Sequence, residues 1–208
     1  MCVGQSLHVG LINDVPKVWI RAGYGSHDDD RKHFGIHDEA VGWVVAALEC
    51  VPRGPDLDLD NPDSWAVQFD GNHVPPAWWN HQCQEAAERE ARAAISAVAK
   101  TGVWPGNLIL AIQTIGHWSL ASVGGYFDAR SLADAKGLSA LASIGGYFCA
   151  NSLVDATGLS ALARVGHEFY ARSLADTTGL SALASVGGDF YVESLTETER
   201  AQIPALLS

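Results

Sequence analysis

Long apolar runs are missing from this chain. No stretch approaches the ~18 consecutive apolar residues of a membrane span, so no membrane association is expected. Positive charge is scarce too: 13 Lys and Arg face 24 Asp and Glu, a formal net charge of -11. That balance, spread over both halves, disfavours direct contact with nucleic acid or anionic lipid and points to a protein partner with a basic surface. Cysteine is sparse and scattered. Cys2, Cys50, Cys83 and Cys149 form no CxxC pair and no disulfide-dense spacing, so reduced, inert thiols are expected. The opening MCVGQSLHVG lacks a basic segment followed by an apolar core, so a cytoplasmic location is expected. Catalytic signatures are absent as well: there is no GxSxG, GxGxxG, P-loop or HExxH. Cys2 would serve as an N-terminal nucleophile only after removal of Met1.

What is present is repetition. Four copies of a 21-residue unit begin at Gly116, Gly137, Gly158 and Gly179, the third reading GLSALARVGHEFYARSLADTT. A fixed period of this length is the pattern of a solenoid, whose coils bury their apolar faces against one another. The apolar positions stay in register: Leu138, Leu159 and Leu180; Leu120, Leu141, Leu162 and Leu183; Val123, Ile144, Val165 and Val186; Leu132, Leu153, Leu174 and Leu195. Gly124, Gly145, Gly166 and Gly187 precede Phe127, Phe148, Phe169 and Phe190, which Ala129, Ala150, Ala171 and Val192 follow. Phe-x-Ala has the period of an inward-facing strand. The glycines before it are expected to mark a bend with φ > 0. VWPGNLIL at 103–110 reads as a degenerate first coil.

Before the repeat, SLHVGLI and KVWIRAGYG alternate as a hairpin around Asn13-Asp14. GSHDDDRKHFGIHDEA reads as a polar loop, 38–49 as a short helix, 51–64 as a loop or edge, and WAVQFD at 65–70 as a strand. Pro75-Pro76 opens a predicted helix over 77–100, with Trp79, Cys83, Ala86, Ala87, Ala94, Ile95 and Val98 as its apolar stripe and Gly102 as its stop. This helix is the expected N-terminal cover of the solenoid. Thr196 and Glu199 have capping-box spacing and start a short C-terminal capping helix with Ile203, Leu206 and Leu207 on its apolar face. The expected architecture is an α+β domain over 1–101, ending in a capping helix, then a short parallel β-solenoid over 102–208 with helical caps.

The pattern LxxLxxIGGxFxAxxL, as in Leu138, Leu141, Ile144, Gly145, Gly146, Phe148, Ala150 and Leu153, resembles the short leucine-rich-repeat coils of bacterial and phage proteins. It is also similar to the β-helical coils of receptor ligand-binding L domains. It departs from ordinary leucine-rich repeats in lacking a corner Asn and in carrying Phe-x-Ala where Leu-x-Leu is usual, so a flat solenoid and a curved horseshoe both remain open. The resemblance covers about 103–195 and implies protein binding through an exposed sheet, without catalysis.

Three outward lanes accompany the Phe-x-Ala strand: Tyr126, Tyr147, Glu168 and Asp189; Asp128, Cys149, Tyr170 and Tyr191; Arg130, Asn151, Arg172 and Glu193. Four of the five tyrosines gather there, a composition suited to a protein-binding face, although tyrosine also favours strands for its own sake. Tyr126, Tyr147, Tyr170, Tyr191, Arg130, Arg172 and Asp128 are the candidate contact residues. Asp134, Asp155 and Asp176, with Glu197 in register, form an acidic ladder. Asp–amide turn bonding, a cation site and imitation of a phosphate backbone compete to explain it; turn bonding is the expected reading. His27, His33 and His37 beside Asp28, Asp29 and Asp30 form no ligand template, so no cofactor and no stoichiometric zinc or calcium are expected. The resulting expectation is a non-enzymatic interaction module, by analogy a phage- or bacterium-encoded inhibitor of the anti-CRISPR type. The alternatives are an acidic nucleic-acid mimic, or an enzyme or metal site around the His/Asp loop of 1–101.

Overall fold

The computed structural model of the chain describes residues 4–36 and 44–203. Two strands, β1 (Gln5–Ile12) and β2 (Val15–Ile20), form the predicted hairpin. Asn13 and Asp14 both take positive φ, 52° and 61°, as the tight turns that match strand twist require. Their register pairs Leu7 with Ile20 and Val9 with Val18. β3 (Val44–Pro52) and β4 (Trp65–Phe69) complete an antiparallel four-stranded sheet in the order β2-β1-β3-β4.

Two segments differ from the sequence reading. Residues 44–49 belong to β3, not to a helix; 38–43 lie outside the described residues. Strand β3 is central, between β1 and β4, and its run from Val44 to Leu48 is apolar at every position, so no period of two shows. Val45, Leu48 and their neighbours therefore satisfied the helical period by accident. The polar stretch is not all loop: α1 (His27–Phe34) forms there. It has no apolar stripe and is built from its ends. The Ser26 side chain accepts the Asp29 N–H, Asp28–Asp30 fill the first turn, basic residues fill the last, and Gly35 closes it in the left-handed region. Asp30, fully buried, anchors α1 to the hairpin by accepting hydrogen bonds from Ser6 Oγ and from Arg21 Nε at 2.7 Å.

The long helix α2 runs over His81–Thr101, starting four residues after the predicted Ala77. Its cap is Asn80, whose side chain accepts the Cys83 N–H, so Trp79 and the two prolines lie before the helix. The apolar stripe is otherwise as read, with Ala91 added, and Gly102 ends the helix at φ 63°. Among the described residues, no helix is long and apolar enough to cross a membrane.

The repeat forms two parallel five-stranded sheets, each strand two residues long. One stacks β5 (Val103–Trp104), β7 (Ser122–Val123), β9 (Ser143–Ile144), β11 (Arg164–Val165) and β13 (Ser185–Val186); the other stacks β6 (Leu108–Ile109), β8 (Phe127–Asp128), β10 (Phe148–Cys149), β12 (Phe169–Tyr170) and β14 (Phe190–Tyr191). Short 3₁₀ turns at Lys136–Leu138, Thr157–Leu159 and Thr178–Leu180 make the third side. The reading of 103–110 as a first coil holds, since Trp104 pairs with Val123 and Leu108 with Phe127. Phe127, Phe148, Phe169 and Phe190 form one inward column with successive centroids 5.6, 5.2 and 4.6 Å apart.

The repeat glycines do not serve the predicted purpose. Among the described residues the glycines with positive φ are Gly4, Gly23, Gly35, Gly71 and Gly102, none of them in the four copies. Their role is close approach: a Cβ on Gly145 would lie 2.1 Å from the Gly124 carbonyl oxygen, and one on Gly158 would lie 1.8 Å from that of Ala135. Only glycine lets coils stack at this spacing.

The N-terminal cover is composite rather than helical alone. Helix α2 reaches the first coil near its end, where Ala99 O accepts Ser119 Oγ at 3.4 Å and Gly102 O accepts Ala121 N–H. Residues 56–59 pair with it directly, through Asp56 N–H to Thr114 O and Leu59 N–H to His117 O, and Gly4 N–H donates to Ile109 O. Trp65, Trp104 and Trp118 pack together at 6.1–6.4 Å beneath this seam, and one apolar core runs from Leu7 to Ile203. At the other end α3 (Glu197–Arg200) carries the predicted capping box, and Ile203 is buried; Leu206 and Leu207 lie outside the described residues.

Candidate functional site

The Phe column fixes the face opposite it. Where Phe and Ala point inward at alternate positions, the residues between them must point out, and parallel register places equivalent residues one coil apart. Tyr126 and Tyr147 stack at 4.7 Å with their planes 2° apart, and Tyr170 and Tyr191 do the same. Tyr147 meets Tyr170 edge-on at 6.4 Å. The four tyrosines thus make one continuous aromatic strip that steps from one lane to the next halfway along the stack.

Beside that step lies a depression of about 360 Å³ lined by Arg130, Tyr147, Cys149, Asn151, Tyr170 and Arg172. Four of the seven predicted contact residues line it. Arg130 and Arg172 are held in place rather than free: Arg130 grips Asp128 through Nε at 3.1 Å and a terminal nitrogen at 2.9 Å, and Arg172 Nε stands 3.3 Å from Glu193. Asp128, expected as a contact residue, is only 4 % exposed. It orients Arg130 and offers little surface of its own. A second groove, of about 440 Å³, runs along the glycine corner past Tyr126, Tyr147 and His167, so the Tyr126–Tyr147 pair is a ridge between two furrows.

Burial pushes the Tyr147 phenol up to about 12, with the nearby Asp128 charge acting in the same direction. The folded state favours the neutral phenol, so this contribution to stability is intact below the ordinary tyrosine value of 10.0 and is lost as pH rises from there through about 12. A spectrophotometric titration of the native protein should show tyrosine absorbance still growing near pH 12, with that late amplitude reduced in Tyr147→Phe. An unchanged late phase in the variant would contradict the packing of this strip.

The acidic ladder is occupied by its own backbone. Asp134, Asp155 and Asp176 each accept, through Oδ1, the N–H two residues on, from Lys136 at 2.8 Å and from Thr157 and Thr178 at 2.9 Å. The Thr157 amide beside Asp155 holds its carboxyl below the usual range. Lys136 Nζ lies 2.7 Å from Asp134 and 3.6 Å from Asp155, offsetting their repulsion. The turn-bonding reading accounts for these residues.

The histidines of the polar segment part company. His27 turns inward at the start of α1, His33 stays exposed against Phe34, and His37 lies outside the described residues. Asp28 and Asp29 are exposed and Asp30 is the buried anchor already described. His27 meets His8 edge-on at 5.0 Å. Burial pushes the His8 imidazole down to about 4 and lowers His27 as well. His8, on β1, was invisible to sequence reasoning because its position in an alternating strand looks like any other. Cys50, Cys83 and Cys149 are free and buried, and burial pushes the Cys50 thiol up to about 12; Cys2 lies outside the described residues. Comparison of the chain with protein-family models, with curated proteins and with solved structures finds no match.

Proposed function

We propose that the chain is a non-enzymatic protein-binding module whose contact surface is the tyrosine strip and the arginine-flanked depression beside it. The observation that carries this reading is the convergence of Tyr147, Tyr170, Arg130 and Arg172 on one depression. Aromatic and arginine side chains held rigid before contact lose little entropy on binding and are the residue types in which interface energy concentrates. The stacked tyrosines and paired arginines meet that description. The leucine-rich-repeat-like character of the coils, with an exposed sheet presenting the contact residues, fits the same use. The surroundings are acidic, through Glu168, Asp189 and Glu193 on the face and the net charge of -11 overall, so the partner surface is basic. Imitation of nucleic acid is the weaker reading, because the ladder carboxylates are engaged by turn amides and Lys136.

Affinity capture tests it. The wild-type chain and a chain with Asp134, Asp155 and Asp176 changed to Asn should retain the same partner from an extract of the source cell, and the Tyr147→Ala/Tyr170→Ala chain should lose it. Retention by the tyrosine variant would place the interface elsewhere.

A further inference from the structure

Three donors from three separate segments converge beside the first coil. His27 opens α1, Glu49 lies in β3, and Asp70 follows β4; one ligand atom from each falls within 4.8 Å of the others. His27 Nε2 stands 3.7 Å from Asp70 Oδ2. That is too long for a hydrogen bond but close to the spacing of two atoms on one ion, since donors held at about 2.1 Å in a tetrahedron lie about 3.4 Å apart. His27 is 9 % exposed, and neither of its ring nitrogens has a hydrogen-bond partner. The same is true of His8 behind it, 1 % exposed. Buried imidazole nitrogens are normally satisfied, so the unpaired His27 ring within reach of two carboxylates needs an explanation beyond packing. The cluster is reachable: a cleft of about 270 Å³ is lined by Ser26, His27, Asp28, Asp70, Asn107 and Tyr126.

We propose that His27, Glu49 and Asp70 bind a divalent transition-metal ion, with zinc as the expected occupant and its remaining coordination positions turned to the cleft. One imidazole and two carboxylates form a nitrogen–oxygen set of borderline hardness, which suits zinc better than calcium or magnesium. The two carboxylates balance the ion's charge. Three protein donors leave room for water or an incoming ligand atom. The expectation of no metal rested on spacing within one polar segment, and this site uses only His27 from it. The second carboxylate–histidine group, Asp58, Asp60 and His117, is a poorer candidate, because Asp58 and His117 are exposed to solvent and it holds no buried imidazole. The proposal stands independently of the tyrosine strip.

The test is calorimetric titration of the chelator-stripped full chain with zinc chloride. One zinc per chain is expected. Asp70→Asn and His27→Gln should each weaken binding by about 10-fold or more, while His117→Gln leaves it unchanged. Asp70 is half-exposed and its amide is nearly isosteric, so that variant decides the matter even if His27→Gln fails to fold. Absence of stoichiometric uptake, affinity unaltered in Asp70→Asn, or loss of uptake in His117→Gln would each overturn the proposal.

Discussion

Gly158→Ala is expected to disrupt the stack, although it adds a single methyl group. The new Cβ would sit 1.8 Å from the Ala135 carbonyl oxygen and 2.2 Å from its carbon, so backbone, rather than a flexible side chain, must move. Backbone in a parallel ladder cannot shift at one position alone. Ala135 N–H bonds to Asp155 O, and Leu138 N–H returns to Ala135 O, so a displaced Ala135 strains the turn it begins. Overpacking usually costs ~1–3 kcal/mol, and the cost here should lie at or above the upper end. Gly54→Ala is the matched control, because nothing lies within 4 Å of its Cβ position. Melting curves of the two variants check this: a large drop for Gly158→Ala and almost none for Gly54→Ala. Equal melting temperatures would mean that the coils are not stacked at this spacing.

Phe148→Ala should be nearly as damaging for the opposite reason. Phe148 is fully buried and packs between Phe127 at 5.6 Å and Phe169 at 5.2 Å, so truncation opens a void that two neighbouring coils share. In a solenoid, stability is a sum over coils and the interfaces between them; this change weakens one coil and both of its interfaces. Large-to-small substitution of a buried phenylalanine costs ~3–5 kcal/mol, which for a chain of this length lowers Tm by roughly 6–20 °C. Phe190→Ala, in the half-buried last coil, should cost distinctly less. Thermal unfolding of both variants gives the comparison, and a Phe148→Ala chain that melts with the wild type would refute the inward column.

The repeat was legible because every coil solves the same packing problem, so Leu138, Ile144, Phe148 and Leu153 recur 21 residues later as Leu159, Val165, Phe169 and Leu174. The second sheet was harder to see. Ser143–Ile144 is two residues long and lacks the Phe-x-Ala step that marks the other sheet. Helix α1 escaped notice because its signals are at its ends, Ser26 and Gly35, while its body is polar. Strand β3 misled because its run from Val44 to Leu48 is apolar at every position and shows no period of two. The outward lanes were legible because alternation alone separates Tyr147 from Phe148. What alternation does not reveal is that Asp128 is covered and holds Arg130. His8, Glu49 and Asp70 were beyond reach: only the sheet order β2-β1-β3-β4 brings such distant segments together.

The proposed function places binding energy in the tyrosine strip, with charge supplying attraction at a distance. Once the partner is in hand, its affinity should be measured at about 50 mM and about 200 mM salt for the wild type, for Tyr170→Ala, and for the chain with Asp134, Asp155 and Asp176 changed to Asn. Tyr170→Ala is expected to weaken binding by about 2 kcal/mol or more at both salt concentrations, as a desolvated aromatic anchor should. The neutralised ladder should cost much less, mostly in association rate at low salt. The reverse order, with the ladder variant abolishing binding and Tyr170→Ala mild, would contradict the account.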